Sequence, residues 1–384
     1  MESYVIEARR QLHMYPEIGF DLDRTLTFLK SELDKMGVEY TEKYGKSSIV
    51  ATINPEKSHF TIGVRADIDA LPITEETGLP FASKLDGQMH ACGHDAHAAI
   101  VLDTCRRLNE MRDKINCRVK IIFQAAEEYP PSGAKLMVED GVMDEIDCIV
   151  ALHVAPGKNV GDIAILAGPE NATSDGFHLE FYGKTAHAAA QNEGVDAIMM
   201  AVKAYTEIEF MIAKEIRAID PIIFNVGAIN GGVANNIICD HCSMYCTLRT
   251  HRNENEEYIL DKIKKIINSV AEVSGGRAEF VLDKHYPMVV NNEKMVERVK
   301  HSAEKIIGKE HIVSQIRGMG GEDFAYFANI KPGCMFQLGV CEPGTKCTAG
   351  LHNSKMMIDE SALEIGVNLF VQFVLDNMNG IDFN

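Results

Sequence analysis

The sequence predicts an α/β protein of two domains, in which a discontinuous α/β domain is interrupted by an inserted α+β unit of ferredoxin-like order. Three observations predict it. Strand-like and helix-like periodicities alternate between residues 25 and 154, a pattern that builds layered α/β structure rather than separate all-β and all-α blocks. Between 177 and 285 the order becomes β-α-β-β-α-β, which is ferredoxin-like. Residues suited to metal chemistry lie on both sides of that unit, so it is an insertion.

The elements follow in order. Residues 25–36 read as an amphipathic helix with Leu26, Leu29, Leu33 and Met36 on one side. Strands are expected at 48–53 and 61–68, a helix at 96–111, a strand at 118–126, a helix near 134–138 and a strand at 147–154. In the insert, strands at 177–182, 222–228, 236–249 and 277–285 alternate with helices at 195–212 and 254–273. The discontinuous α/β domain is therefore expected at 1–173 and 291–384, and the insert at 174–290. At roughly a hundred residues the insert is large enough to be a domain. No internal repeat or low-complexity segment interrupts this pattern.

Composition bounds the function. With 46% hydrophobic and 24% charged residues among 384, the chain can build a sizeable core and does not resemble a disordered one. A net charge of −18 disfavours nucleic acid as the main partner, since phosphate binding needs clustered Lys and Arg. Residues 1–10 carry two Glu and no apolar signal core. Nowhere do about eighteen apolar residues run together, so no membrane span is expected. Ten Cys are too sparse for a disulfide scaffold and read as reduced thiols of a cytoplasmic protein.

The chemistry centres on MHACGHDAH at 89–97. Cys92 and His94 are separated by one Gly, so both can face one point where the backbone is not regular helix, and a borderline-soft divalent ion accepts such a pair. The plainer alternative is a buried Cys with His residues packing where a helix begins. Three further segments supply suitable groups. The strand at 118–126 stops at Glu127-Glu128, His153 stands near the end of the strand at 147–154, and His352 follows the loop at 347–350. Reactive groups in open α/β sheets gather beyond the carboxyl ends of the strands. Five ligands exceed what one catalytic zinc needs and fit two ions sharing a bridging group.

Adjacent carboxylates past a strand point to opposite sides. One of Glu127 and Glu128 can therefore ligate while the other faces a water; alternatively the pair is a solvated strand end. Asp67 and Asp69 share one face of their strand, where a carboxylate can orient a metal-bound His. His187, a lone His after a strand, would by default be a surface residue. Cys239, Cys242, Cys246 and His241 resemble a second metal cluster. Alternation along 236–249 would put Cys239 and His241 on one side and the other two Cys on the opposite side, so buried small apolar residues are the better reading.

The motifs together resemble the hippurate hydrolase and indoleacetyl-amino-acid hydrolase branch of the aminoacylase-type metallopeptidases. Those that carry the resemblance are RRQLHMYPEIGF (9–20), RADIDALPI (65–73), MHACGHDAH (89–97), FQAAEE (123–128), LHV (152–154), GKTAHAA (183–189), GGEDFAYF (320–327) and LHNS (351–354). The resemblance implies an inserted lid and dimerisation domain, and a dinuclear site of two divalent metal ions, zinc or manganese. The ligands would be Cys92, His94, Glu128, His153 and His352, with Cys92 bridging. It implies Glu127 as general base and Asp67 as the supporting carboxylate; Asp69 is then either support or structural. More distant relatives place a metal-binding His where this chain has Arg65, and His94 would supply the missing imidazole. His187 would reach the neighbouring subunit's site and, with Asn235, hold the developing oxyanion, while Arg249 would grip the substrate carboxylate.

Several positions depart from the family pattern. Thr185-Ala186 replaces a Gly pair before His187, Ala125 stands where Pro is frequent, and Ala155 where an aromatic is frequent. Residues 129–132 (YPPS) replace a more Gly-rich turn. The implied activity is hydrolysis of N-acyl-L-amino acids by a homodimer or higher homo-oligomer, with no nucleic acid or membrane partner. Alternatives on the same scaffold are a dipeptidase or an N-acetyl-diaminopimelate deacetylase. A thiol hydrolase using Cys92 and an inert scaffold protein are the alternatives of other classes.

Overall fold

The apolar runs that end at Asp67, Gln124 and Ala155 become the central strands of an eight-stranded mixed sheet. The fold is seen in a computed structural model that describes residues 3–341, 345, 347 and 349–383. The outermost residues of the expected catalytic domain (1, 2 and 384) and Thr348 of the 347–350 loop lie outside the described residues.

The chain opens with α1 (Tyr4–His13), α2 (Asp23–Met36), β1 (Glu39–Thr41), β2 (Ile49–Ile53), β3 (Thr61–Asp67) and α3 (His94–Glu110). Then come β4 (Arg118–Gln124), α4 (Gly133–Glu139), β5 (Cys148–Ala155), β6 (Ile163–Ile165) and β7 (Gly168–Pro169). They are followed by β8 (Ser174–Tyr182), α5 (Ala197–Glu215), β9 (Ile222–Gly231), β10 (His241–Thr250), α6 (Asn253–Ser274) and β11 (Arg277–Tyr286). The chain ends with β12 (Val290–Asn291), α7 (Glu293–Ile307), β13 (Ile312–Ser314), α8 (Ala325–Ala328), β14 (Gly333–Gly339) and α9 (Ser361–Asn377).

Two compact units result. The first comprises Met1–Glu170, Val289–Ile316 and Asp323–Asn384; the second comprises Asn171–Met288 and Arg317–Glu322. The sheet of the first unit has the order β1-β2-β4-β3-β5-β14-β6-β13, with β4, β3, β5 and β14 parallel to one another. Parallel strands need cover on both faces, and alternation supplies it. Ile121 and Phe123 join Leu29, Ile100, Val299 and Phe370 on the side of α2, α3, α7 and α9. Ile122, between them, joins Met137 of α4 and Phe327 of α8 on the other. The carboxyl ends of β3, β4 and β5 are therefore adjacent, and polar groups carried past them converge.

The second unit holds a four-stranded antiparallel sheet of order β11-β8-β10-β9, the ferredoxin-like arrangement of its β-α-β-β-α-β chain. Phe177, Leu179, Phe181, Met244 and Leu248 of its strands pack with Ile208 of α5 and Ile263 of α6. Residues 317–322 belong to this unit because its strand β10 and the turn after it hold their backbone. Arg249 Nη1 donates to Met319 O at 2.8 Å, and His251 Nε2 to Gly318 O at 2.8 Å.

Two boundaries differ from expectation in ways that matter. Helix α3 starts at His94, not 96, because Gly93 takes the left-handed conformation (φ 87°) as its cap. Strand β10 starts at His241 rather than 236, because the backbone of 236 and 238 bonds instead to 188 and 186. Cys239 thus escapes the strand alternation and is buried in the same apolar core as Cys242 and Cys246, which leaves His241 exposed. No helix among the described residues is long and apolar enough to cross a membrane.

Candidate metal centre

The turn into α3 determines the site. A Cβ on Gly93 would lie 2.4 Å from Val154 Cγ2, so only glycine permits both the left-handed turn and the approach of β5. Across this contact, Cys92 Sγ lies 3.4 Å from His153 Nε2. His153 Nδ1 meets the carbonyl of Val154 at 2.8 Å, and His94 Nδ1 the carbonyl of Asp69 at 2.9 Å. A carbonyl only accepts, so each Nδ1 carries a proton, and in the neutral ring that a metal would bind each Nε2 presents a lone pair. The Nε2 of His94 is buried with no hydrogen-bond partner among the described residues. A metal ion satisfies an imidazole nitrogen held in this way.

The carboxylates arrive from β4. Ala126 turns the chain at φ 51°, and the Asp69 carboxylate then takes the next two N–H groups. Glu127 donates to its Oδ1 at 3.0 Å and Glu128 to its Oδ2 at 3.2 Å. Glu128 Oε1 lies 2.9 Å from His352 Nε2, yet it is buried without a hydrogen bond. His352 itself sits at φ 60°, held by its N–H to Ala91 O at 2.8 Å. Burial works against the Glu128 charge, but contact with His352 and the nearby His94 hold its pKa down at about 2.

The donor atoms of Cys92, His94 and His153 lie within 4.8 Å of one another, as do those of Cys92, Glu128 and His352. Cys92 is common to both trios. A thiolate, three imidazoles and a carboxylate suit zinc and other borderline ions, so the residues present fit a pair of metals. The donor atoms of Glu127, Glu128 and His94 form a third such group.

Behind these residues lies a buried ionic lattice. Asp67 Oδ1 accepts from His97 Nδ1 at 2.6 Å, and its Oδ2 accepts from Arg65 Nη1 at 2.9 Å. The other nitrogen of His97 accepts the Val154 N–H at 2.9 Å. His97 is therefore spent on positioning, although its donor atoms lie close to those of His94 and Asp67; burial lowers its pKa to about 4 and keeps it neutral. Burial also opposes the charge on Asp67, but His94, His97 and Arg65 hold its pKa well below the carboxylate range.

Arg65 also binds Gln124 Oε1 at 2.8 Å and Asp323 Oδ1 at 2.7 Å. The second oxygen of Asp323 accepts from Gln124 Nε2 and Ser132 Oγ, both at 2.7 Å. Its backbone N–H donates to Glu127 Oε1 at 3.4 Å. Sequence reasoning assigned no role to Asp323 or His97. The acidic pair inside the GGEDFAYF motif was the only available signal for Asp323.

His187, Asn235 and Arg249 lie in the second unit. His187 Nδ1 accepts the N–H of Ala189 at 3.0 Å as the cap of a short 3-10 turn. Asn235 is exposed in the turn before β10.

Residues 63–376 match the sequence model of the family described as Peptidase family M20/M25/M40. The thermostable carboxypeptidase 1 of Saccharolobus solfataricus is 33% identical over 369 residues, covering 95% of this chain and 93% of its own. The N-acetyl-L-cysteine deacetylase of Bacillus subtilis is 33% identical over 363 residues, covering 94% and 85%. Among solved structures, the Bacillus subtilis YXEP protein, described as a dinuclear metal binding peptidase from the M20 family, matches with a TM-score of 0.84. It is 29% identical and covers 98% of each chain.

Proposed function

The chain belongs to peptidase family M20/M25/M40, and within it we propose a metal-dependent amidohydrolase that splits N-acyl-L-amino acids into a carboxylic acid and a free amino acid. That it is a hydrolase of amide bonds follows from its relatives. The observation that carries the metal reading is the buried Nε2 of His94, without a hydrogen bond among the described residues, beside Cys92, His153 and Glu128. Cys92, His94, Glu128, His153 and His352 would hold two divalent ions, zinc or manganese, with the Cys92 thiolate shared. Such ions polarise an amide carbonyl and acidify the attacking water.

The remaining work falls to this chain's own groups. Glu127 takes the proton from the attacking water and returns it to the leaving nitrogen. Its backbone is held by Asp69 and its carboxylate by the Asp323 N–H. By resemblance, His187 and Asn235 donate to the oxyanion and Arg249 binds the substrate carboxylate in a two-pronged grip.

A homodimer is supported by Val202 and Phe210 of α5 and Ile229 of the edge strand β9, which are 51%, 66% and 45% exposed. A reducing, cytoplasmic setting is supported by the buried free thiols of Cys105, Cys117, Cys148 and Cys334.

The 3.4 Å contact between Cys92 and His153 raises a second reading, a thiol hydrolase. Burial pushes the Cys92 thiol well above its ordinary pKa, which disfavours a free thiolate nucleophile. Cys92→Ser separates the readings by elemental analysis: metal and activity fall together if the thiolate is a ligand, whereas metal stays and turnover vanishes if it is the nucleophile. The substrate class is tested by assaying the metal-loaded enzyme, with and without chelator, on N-acetyl, N-benzoyl and long-chain acyl amino acids, N-acetyl-diaminopimelate and dipeptides. Hydrolysis of dipeptides alone would overturn the N-acyl assignment.

A further inference from the structure

A second set of donor atoms lies wholly within the second unit. Asp175 near the start of β8 and His285 near the end of β11 are direct cross-strand partners, and Glu256 lies in the first turn of α6. His285 Nδ1 is 2.7 Å from Asp175 Oδ1 and 3.2 Å from Glu256 Oε1. One donor atom from each of the three lies within 4.8 Å of the others. Asp175 is fully buried and Glu256 is 7% exposed, whereas the His285 ring is open to solvent along one side.

The protein groups alone leave this cluster unbalanced. One imidazole N–H can at best be split between two carboxylates. The other oxygen of Asp175, Oδ2, is buried and accepts no hydrogen bond among the described residues. Neither carboxylate pairs with a lysine or arginine among the described residues; the ion pairs of both run to His285. A buried, unsatisfied carboxylate oxygen beside a second buried carboxylate is costly unless positive charge joins them. Contacts with Asp175 and Glu256 raise the pKa of His285 to about 9, so one imidazolium charge faces two carboxyls. Burial and the charge of Glu256 still hold the pKa of Asp175 up at about 6 despite the pull of His285.

We propose that Asp175, Glu256 and His285 bind a divalent cation, separate from the centre in the first unit. Two carboxylates and an imidazole suit zinc or manganese, with water completing the shell, and the solvent-facing side of His285 gives the ion its access. The chain passes into the second unit between Glu170 and Asn171 and leaves it between Met288 and Val289. The site therefore ties the first and last strands of that unit to the start of α6, and Asp175 and His285 stand within a few residues of these two of the chain's four crossings.

The test is a count of bound metal. Full-length protein is stripped with chelator, dialysed against zinc or manganese, and measured by elemental analysis as wild type, Glu256→Gln and His285→Gln, each also combined with Cys92→Ser. Circular dichroism confirms folding, and these two positions are preferred because changing the fully buried Asp175 endangers the fold. The expected result is a loss of about one equivalent per chain in either variant, undiminished in the Cys92→Ser background. That background keeps the result independent of the amidohydrolase reading. Wild-type stoichiometry in both folded variants would overturn the proposal and leave a shared proton as the link between the two carboxyls.

Discussion

Strands β3, β4 and β5 are buried along nearly their whole length, whereas β9 and β11 are half-buried or exposed along nearly all of theirs. Helices cover both faces of the first sheet, so the polar groups buried within or just beyond its strands are committed to partners. Arg65, Asp67, Gln124 and Asp323 satisfy one another at 2.7–2.9 Å with no solvent. The second unit's sheet has helices on one face only. Polar residues stand on its other face: His241 meets Glu180 at 2.6 Å, and His178 meets Asp283 at 2.8 Å. The lesson is energetic. A charge in a covered sheet cannot be left without its partner, whereas on an open face water replaces what is lost.

Glu127→Gln tests the strand-end chemistry most severely. It keeps shape but cannot accept a proton, so kcat should fall by roughly 10²–10⁴ while the metal stays bound. Wild-type turnover in this variant would remove Glu127 from its role.

Asp323→Asn tests whether the buried lattice serves the site. Removing a group that orients metal-site residues typically costs about 10–100-fold in activity or metal affinity. Asp283→Asn, on the open face of the second sheet, should change stability by no more than about 1 kcal/mol. Equal costs at the two positions, measured by denaturant titration and steady-state kinetics, would break the contrast.

The next experiment asks whether the second unit works on its own chain's centre or its partner's. His187→Ala and Glu127→Gln protomers, each nearly inactive, are mixed and allowed to exchange. If His187 acts across a dimer, each mixed dimer has one complete site, and activity should return to roughly a quarter of wild type. No recovery despite demonstrated exchange would confine His187 to its own chain or exclude it.

The smallest effect lies away from both regions. Asp376 of α9 accepts from Ser302 at 2.7 Å and Lys305 at 2.6 Å. Burial opposes its charge, but these partners lower its pKa below the usual 3.8. A depressed acid contributes stability above its unfolded pKa and loses it as pH falls through the folded value. Asp376→Asn should therefore cost about 0.5–1 kcal/mol at neutral pH, and the difference from wild type should fade below pH 3.8 in paired thermal melts.

The sequence by itself determined the α/β layering, the β-α-β-β-α-β order of residues 177–285 and the placing of Cys92, Glu127-Glu128 and His153 at strand ends or helix starts. Each is a local property: periodicity sets element type, and the residues beyond an element's last turn are read directly from the chain. The helices α1, α7 and α9 and strand β14 received no individual assignment, although α9 and β14 are largely buried. A residue surrounded by apolar neighbours has no amphipathic signature to betray its element.

Only the tertiary structure decided which groups are free to bind. His94 and His97 lie three positions apart on one helix. Folding gives His94 Nδ1 the carbonyl of Asp69, and gives His97 both Asp67 and the N–H of Val154. The same side chain is thus a candidate ligand in one case and a brace in the other. Arg65 and Asp323 are 258 residues apart, and nothing local to either predicts their pairing. A histidine's lone pair, or a carboxylate's last open oxygen, depends on which partners packing brings within about 3 Å, and those partners come from distant parts of the chain.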